Sequence, residues 1–186
     1  MIVIKNGMVT DPSNGIQKQA AVIIKDGKIN KITDDADEIE QITSDMITEN
    51  NNEHHVIDAA GCIVAPGLVD VHVHFRDPGF TYKEDIETGA KAALKGGFTS
   101  VVLMANTKPA VDNTDTLTYV IEKGKKTNLK VYTCATVTKG MAGKELTDMS
   151  ALLEKGAVGF TDDGIPLMDA ALLERAMQTV SALDVP

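Results

Sequence analysis

Val69-Asp70-Val71-His72-Val73-His74-Phe75-Arg76-Asp77-Pro78-Gly79 alternates apolar and polar side chains and then breaks at a proline and a glycine. Alternation with a period of two predicts a β-strand, so His72 and His74 project to one face while Val69, Val71 and Val73 project to the other. Two neutral imidazoles at this spacing can hold one zinc ion, and a divalent cation at a strand exit is placed to activate water. A bare His-x-His is equally compatible with a strand that tolerates two histidines, so its meaning depends on what else arrives beside it.

Downstream of this strand the periodicity alternates between strand and helix. Residues 69–75 read as a strand, 83–95 as a helix ending at Gly96-Gly97, and 99–106 as a second strand. Residues 113–126 then read as a helix, 130–137 as a strand, 144–155 as a helix closed by Gly156, 158–163 as a strand and 169–183 as a helix. Four consecutive βα units predict an α/β fold with a parallel sheet and right-handed crossovers, whose chemistry gathers at the carboxyl ends of the strands. Residues 1–65 read instead as a small β unit, with strands at 2–9, 21–24, 29–32, 56–57 and 62–64 and a turn at Asp26-Gly27. Between them, residues 34–55 are polar and acidic and read as a loop holding at most one helical turn. The loop closes with Asn50-Asn51-Asn52-Glu53-His54-His55; adjacent histidines cannot share a strand face, so His54 and His55 read as solvated loop residues rather than ligands.

Composition narrows the classes of function. The 186 residues are 43% hydrophobic and 24% charged, an ordinary globular balance. A net charge of -9 with only 4% aromatic residues argues against nucleic-acid or anionic-membrane binding, so an anionic substrate would have to be caught by a few local cations. No apolar run approaches the roughly 20 residues of a membrane span, and the start turns polar too soon for a secretory signal; a cytoplasmic address is expected. Cys62 and Cys134 stand far apart without a CxxC pattern and read as reduced structural thiols. Gly140-Met141-Ala142-Gly143-Lys144 has the wrong spacing for a phosphate loop and is followed by Glu145, so it reads as a loop opening a helix.

The strand exits converge on polar groups. The first delivers His72, His74 and Arg76, the second ends Met104-Ala105-Asn106-Thr107, and the fourth ends Phe160-Thr161-Asp162-Asp163-Gly164. If large apolar side chains face the helices, alternation turns Asp163 toward the histidines and Asp162 away, and turns Asn106 inward opposite Val101, Leu103 and Ala105. Each group alone has a plainer explanation: the aspartates as a helix N-terminal turn, Asn106 as a turn residue, Arg76 as a surface ion pair. Packing does not account for two imidazoles, a carboxylate, an amide and a guanidinium gathered on one rim.

These segments resemble the dihydroorotases of the amidohydrolase superfamily, and the similarity runs through the whole chain. It is carried by His72-Val73-His74-Phe75-Arg76-Asp77-Pro78-Gly79, Met104-Ala105-Asn106-Thr107-Lys108-Pro109 and Gly159-Phe160-Thr161-Asp162-Asp163-Gly164. Ile4-Lys5-Asn6-Gly7 and the approach from Ile57-Asp58 to Leu68-Val69-Asp70 are similar to the superfamily's flanking β-sandwich leading into its barrel, a feature shared with hydantoinases and allantoinases. Those enzymes and one dihydroorotase class place a carbamylated lysine on the fourth strand; Asp163 without a lysine there resembles the other, bacterial class. The resemblance implies a parallel (β/α) barrel of the metal-dependent hydrolase type, its first four units in residues 66–186, preceded by a β-sandwich portion in residues 1–65. It also implies His72, His74 and Asp163 as ligands for one or two zinc ions, and Arg76 and Asn106 as binders of the substrate carboxylate. The reaction implied is the reversible cyclisation of N-carbamoyl-L-aspartate to L-dihydroorotate in pyrimidine synthesis.

The family's further histidine ligands and its catalytic aspartate would lie beyond Pro186, and residues 66–186 are under half the roughly 250 of a closed barrel. The expectation is therefore an amino-terminal portion that is inactive alone, with an open edge favouring a homo-oligomer or association with an aspartate transcarbamoylase. The alternatives are a hydantoinase or allantoinase type of enzyme, and a non-catalytic dihydroorotase-like assembly module.

Overall fold

In the computed structural model, which describes residues 1–48 and 53–186, the chain divides into two compact units, Met1–Pro66 and Gly67–Pro186. The first contains β1 (Ile2–Asp11), β2 (Ile16–Lys25), β3 (Lys28–Thr33), helix α1 (Ala36–Thr48), β4 (His55–Asp58) and β5 (Ile63–Val64). The strands make one sheet in the order β3-β2-β1-β4, with β5 also on β1; the two hairpin pairings are antiparallel, while β4 and β5 run parallel to β1. Asp26 and Gly27 both take left-handed conformations, which match the twist of the β2–β3 hairpin they connect.

Alternation sorts this sheet's two faces. Val3, Ala21 and Ile23 pack with Met46, Ile39 and Ile42 of α1, while Val9, Ala20 and Val22 form a cluster of their own with Ile4, Ile32 and Val64. The described residues of this unit thus form one sheet with α1 on one of its faces. Helix α1 also replaces the expected acidic loop. Ile39, Ile42, Thr43 and Met46 recur at helical spacing, Asp37 and Glu38 suit the positive end of the helix dipole, and Glu38 N donates to Asp35 Oδ1 at 3.1 Å. The charges that suggest a loop are this helix's solvated face. The asparagines of the expected polar run, residues 50–52, lie outside the described residues. His55 is not a loop residue: it opens β4, pairs with Ile2 and donates its amide to Met1 O at 3.0 Å, with its side chain exposed.

The second unit contains β6 (Leu68–Val73), α2 (Ile86–Lys95), β7 (Phe98–Leu103), α3 (Thr114–Gly124), β8 (Lys130–Thr133), α4 (Met149–Glu154) and α5 (Ala170–Leu183). The three strands are parallel in the order β6-β7-β8. Val101, Leu103 and Ala105 pack with Ile86, Ala90, Leu117, Val120 and Leu152, which fixes the helix-covered face. The expected fourth strand is shortened to a parallel bridge between Ala135 and Phe160, flanked by Val158 N to Thr133 O at 3.1 Å and Thr161 N to Ala135 O at 2.9 Å. Helix α4 starts at Met149 instead of residue 144, because Asp148 caps it and the preceding segment folds back on itself, Lys139 N donating to Glu145 O. Helix α2 starts at Ile86 instead of residue 83, behind a reciprocal capping pair of Asp85 and Thr88.

Strand β6 departs from simple alternation. Its pairing with β7 shifts between Asp70 and Val73, and the His72 amide donates to Asp70 Oδ1 at 3.0 Å. Val73 therefore packs on the core while Val69 and Val71 stay 60% and 69% exposed, so the three valines do not share the helix-covered face.

Candidate metal centre

His72 and His74 leave the end of β6 with ring centroids 5.3 Å apart and planes at 71°. Asp163 follows the short segment that pairs with Ala135. It reaches both rings: Oδ1 lies 3.0 Å from His72 Nε2 and Oδ2 lies 3.5 Å from His74 Nε2. One ligand atom from each of the three residues falls within 4.8 Å of the others, a separation that a tetrahedral ion with bonds of about 2.0–2.2 Å can span after small side-chain adjustments. His72 is the most open of the three, while Asp163 is only 17% exposed.

Asn106, just past the end of β7, links these groups. Its Nδ2 donates to Asp163 Oδ2 at 2.6 Å, and its Oδ1 lies 3.0 Å from His74 Nδ1. An ionised carboxylate can only accept, so the amide must turn its NH2 to Asp163 and its oxygen to His74. With the amide so turned, His74 Nδ1 faces an acceptor, and Nε2 faces the gap beside Asp163. That orientation suits a metal ligand, and with two imidazoles and a carboxylate as donors the cluster fits a zinc-type ion.

Arg76 stands at the edge of the cluster, its guanidinium 3.5 Å from Asn106 Oδ1. Its backbone is left-handed at φ 58°, a conformation uncommon for a side chain of this size, and Phe80 N closes the turn onto Arg76 O at 2.9 Å. The next loop holds this turn in place. Lys108 N donates to Pro78 O at 3.0 Å, and a Cβ on Gly79 would lie 2.0 Å from Lys108 O. Among the described residues no carboxylate lies within 4 Å of the Arg76 guanidinium, so it is not the surface ion pair that its residue type alone suggests.

The two neighbouring aspartates point apart. Asp163 meets the histidines; Asp162 is buried, with Oδ1 accepting from Val137 N at 2.8 Å and Thr138 N at 3.1 Å and Oδ2 accepting from Thr138 Oγ1. Neither caps a helix. Reading by motif missed Asp77, whose buried carboxylate accepts from Tyr119 Oη at 2.9 Å, from Lys123 Nζ and from Ile86 N.

Comparison with known proteins places the fold and the family. The chain superposes over 99% of its length on the L-hydantoinase of Arthrobacter aurescens, with a TM-score of 0.76 at 22% identity, covering 39% of that chain. The α/β fold is accordingly shared with that enzyme, represented here in part. Residues 61–186 match the family model described as dihydro-orotase-like, and the chain belongs to that family. It is 55% identical over 188 residues to the dihydroorotase of Clostridioides difficile and 50% identical over 186 residues to that of Clostridium acetobutylicum. Both alignments cover 100% of this chain and 41% of the relative, so the chain spans well under half the length of these proteins. No helix among the described residues is long and apolar enough to cross a membrane.

Proposed function

We propose that this chain carries the first metal ligands and the carboxylate-binding arginine of a zinc-dependent dihydroorotase of the cytoplasm, which interconverts N-carbamoyl-L-aspartate and L-dihydroorotate. The observation that carries the reading is the meeting of His72, His74 and Asp163, which lie far apart in sequence, within 4.8 Å at the strand exits. His72, His74 and Asp163 would hold the ion, with Asp163 able to offer its second oxygen to another. When bound, zinc supplies Lewis acidity that polarises an amide carbonyl and makes water a stronger nucleophile near neutral pH.

The chain's own groups orient what reacts. Asn106 holds His74 by its Nδ1 and steadies Asp163, so both ligands are prepared before anything binds. Arg76 offers a planar fork of donors suited to bidentate grip on a substrate carboxylate, and the left-handed turn beneath it sets where that carboxylate sits. An acidic protein can thereby hold a dianionic substrate at one local cation. The segment 158–163 has no lysine, so a carbamylated-lysine bridge of the hydantoinase kind has no residue to form on there.

Zinc content separates this reading from a metal-free assembly module. The purified chain should retain close to one zinc after desalting, measured by plasma mass spectrometry. His72→Ala and Asp163→Ala should lose most of it with unchanged far-ultraviolet circular dichroism. Wild-type chain that stays metal-free in micromolar zinc would refute the reading.

A further inference from the structure

We propose that Asp162 is a positioning residue for Asp163: by gripping the loop after β8 it fixes the backbone from which Asp163 reaches the two histidines. The inference deepens the metal-site reading and rests on it. Asp162 is 7% exposed, and all three of its side-chain hydrogen bonds go to one neighbouring pair, Val137 and Thr138. No helix begins until Ala170, so this carboxylate is not spent on a cap.

The loop that Asp162 holds is itself well anchored. Thr138 is fully buried, and its hydroxyl accepts from Gly143 N at 3.0 Å. Thr147 N donates to Val137 O at 3.0 Å and Thr147 Oγ1 to Thr136 O at 2.7 Å, which ties the far end of the loop back to its start. Asp162 therefore binds a stiff partner.

The segment before Asp163 is held from two sides. Upstream, Thr161 N donates to Ala135 O at 2.9 Å beside the Ala135–Phe160 bridge; at Asp162 the side chain is locked, and Ile165 N closes a turn onto Asp162 O at 2.8 Å. Little backbone freedom remains at Asp163, whose side chain leaves on the opposite face. This matters because the segment lacks a full ladder of strand hydrogen bonds, and a ligand misplaced by about 1 Å falls out of coordination range. Asp162 supplies the rigidity that a longer strand would otherwise give.

The test uses the chain with cobalt(II) as a visible reporter for zinc, together with amide hydrogen exchange on the metal-free chain. Asp162→Ala should weaken cobalt binding about tenfold or more at a temperature where its circular dichroism is native. It should also speed exchange at Asp163 and Gly164 while β6 and β7 amides keep wild-type rates. Asp162→Asn keeps an oxygen for both backbone amides and should stay within about threefold of wild type in affinity. A folded Asp162→Ala with wild-type cobalt affinity and unchanged exchange at Asp163 overturns the proposal. Should that variant fail to fold, Thr138→Val decides, since it removes the hydroxyl contact to Asp162 along with the acceptor for Gly143 N; wild-type affinity and exchange there overturn it equally. Wild-type chain that binds no cobalt, but whose Asp163 exchange still depends on Asp162, sinks the metal reading and leaves the positioning intact.

Discussion

Asp77 sits next to Arg76 in sequence but faces the protein, its carboxylate fully enclosed against Tyr119 Oη, Lys123 Nζ and the Ile86 amide. Its hydrogen bond holds the Lys123 ammonium above the ordinary lysine pKa, although partial burial of the lysine pulls the other way. Lys123→Met leaves a buried carboxylate short of its cation and should cost about 2–3 kcal/mol in urea denaturation, less than for a fully enclosed pair because Lys123 remains partly exposed. A raised lysine pKa contributes stability in full below the unfolded value and loses it as pH rises through the folded value. The deficit of Lys123→Met should therefore be constant through neutral pH and shrink only in alkaline solution beyond the ordinary lysine range. That His72, His74 and Asp163 meet was legible because residue chemistry and the spacing of strand exits are local. Asp77 was not, because Lys123 lies 46 residues away and nothing in a linear motif joins them.

Helix α2 carries a constraint of a different kind. A Cβ built on Gly89 would stand 2.5 Å from Cδ1 of the buried Phe75, the residue between His74 and Arg76. Gly89→Ala gains up to about 1 kcal/mol of helix propensity but forces Phe75 to move, an overpacking cost of about 1–3 kcal/mol. The variant should melt at a lower temperature than wild type by differential scanning calorimetry, against the usual direction for this exchange in a helix. The long elements α2, α3 and α5 were readable from period, although the Asp85 cap that moves the start of α2 past residue 83 was not; Asn113 and Asp169 accept amide hydrogens where the other two begin. Helix α1 escaped notice because acidic residues dominated its composition, although Ile39, Ile42 and Met46 already marked a helical stripe. The shortened fourth strand and the late start of α4 escaped for another reason: segment 136–147 folds back on itself through Lys139 N to Glu145 O and Thr147 N to Val137 O, and Asp162 takes up two of its remaining amides.

Coupling between the proposed ion and folding extends beyond the site, because the three ligands tie strand exits from both ends of the second unit. An ion that binds only the folded chain should add about 2.7 kcal/mol of stability at a free concentration 100-fold above its dissociation constant. Thermal melts in zinc should rise accordingly, return to the metal-free value on chelation, and stay unmoved by zinc in His72→Ala; equal shifts in that variant would place the ion elsewhere. Residue order alone was sufficient for the succession of βα units and for the opposite directions taken by Asp162 and Asp163, since each follows from side-chain periodicity over a few neighbours. Folding in three dimensions was needed for the exposure of Val69 and Val71, the Asn106 bridge between His74 and Asp163, and the Asp77–Lys123 and Asp162–Thr138 anchors. Those features depend on which distant groups come within 3 Å of one another and on where a strand slips register, and both are properties of packing rather than of local pattern.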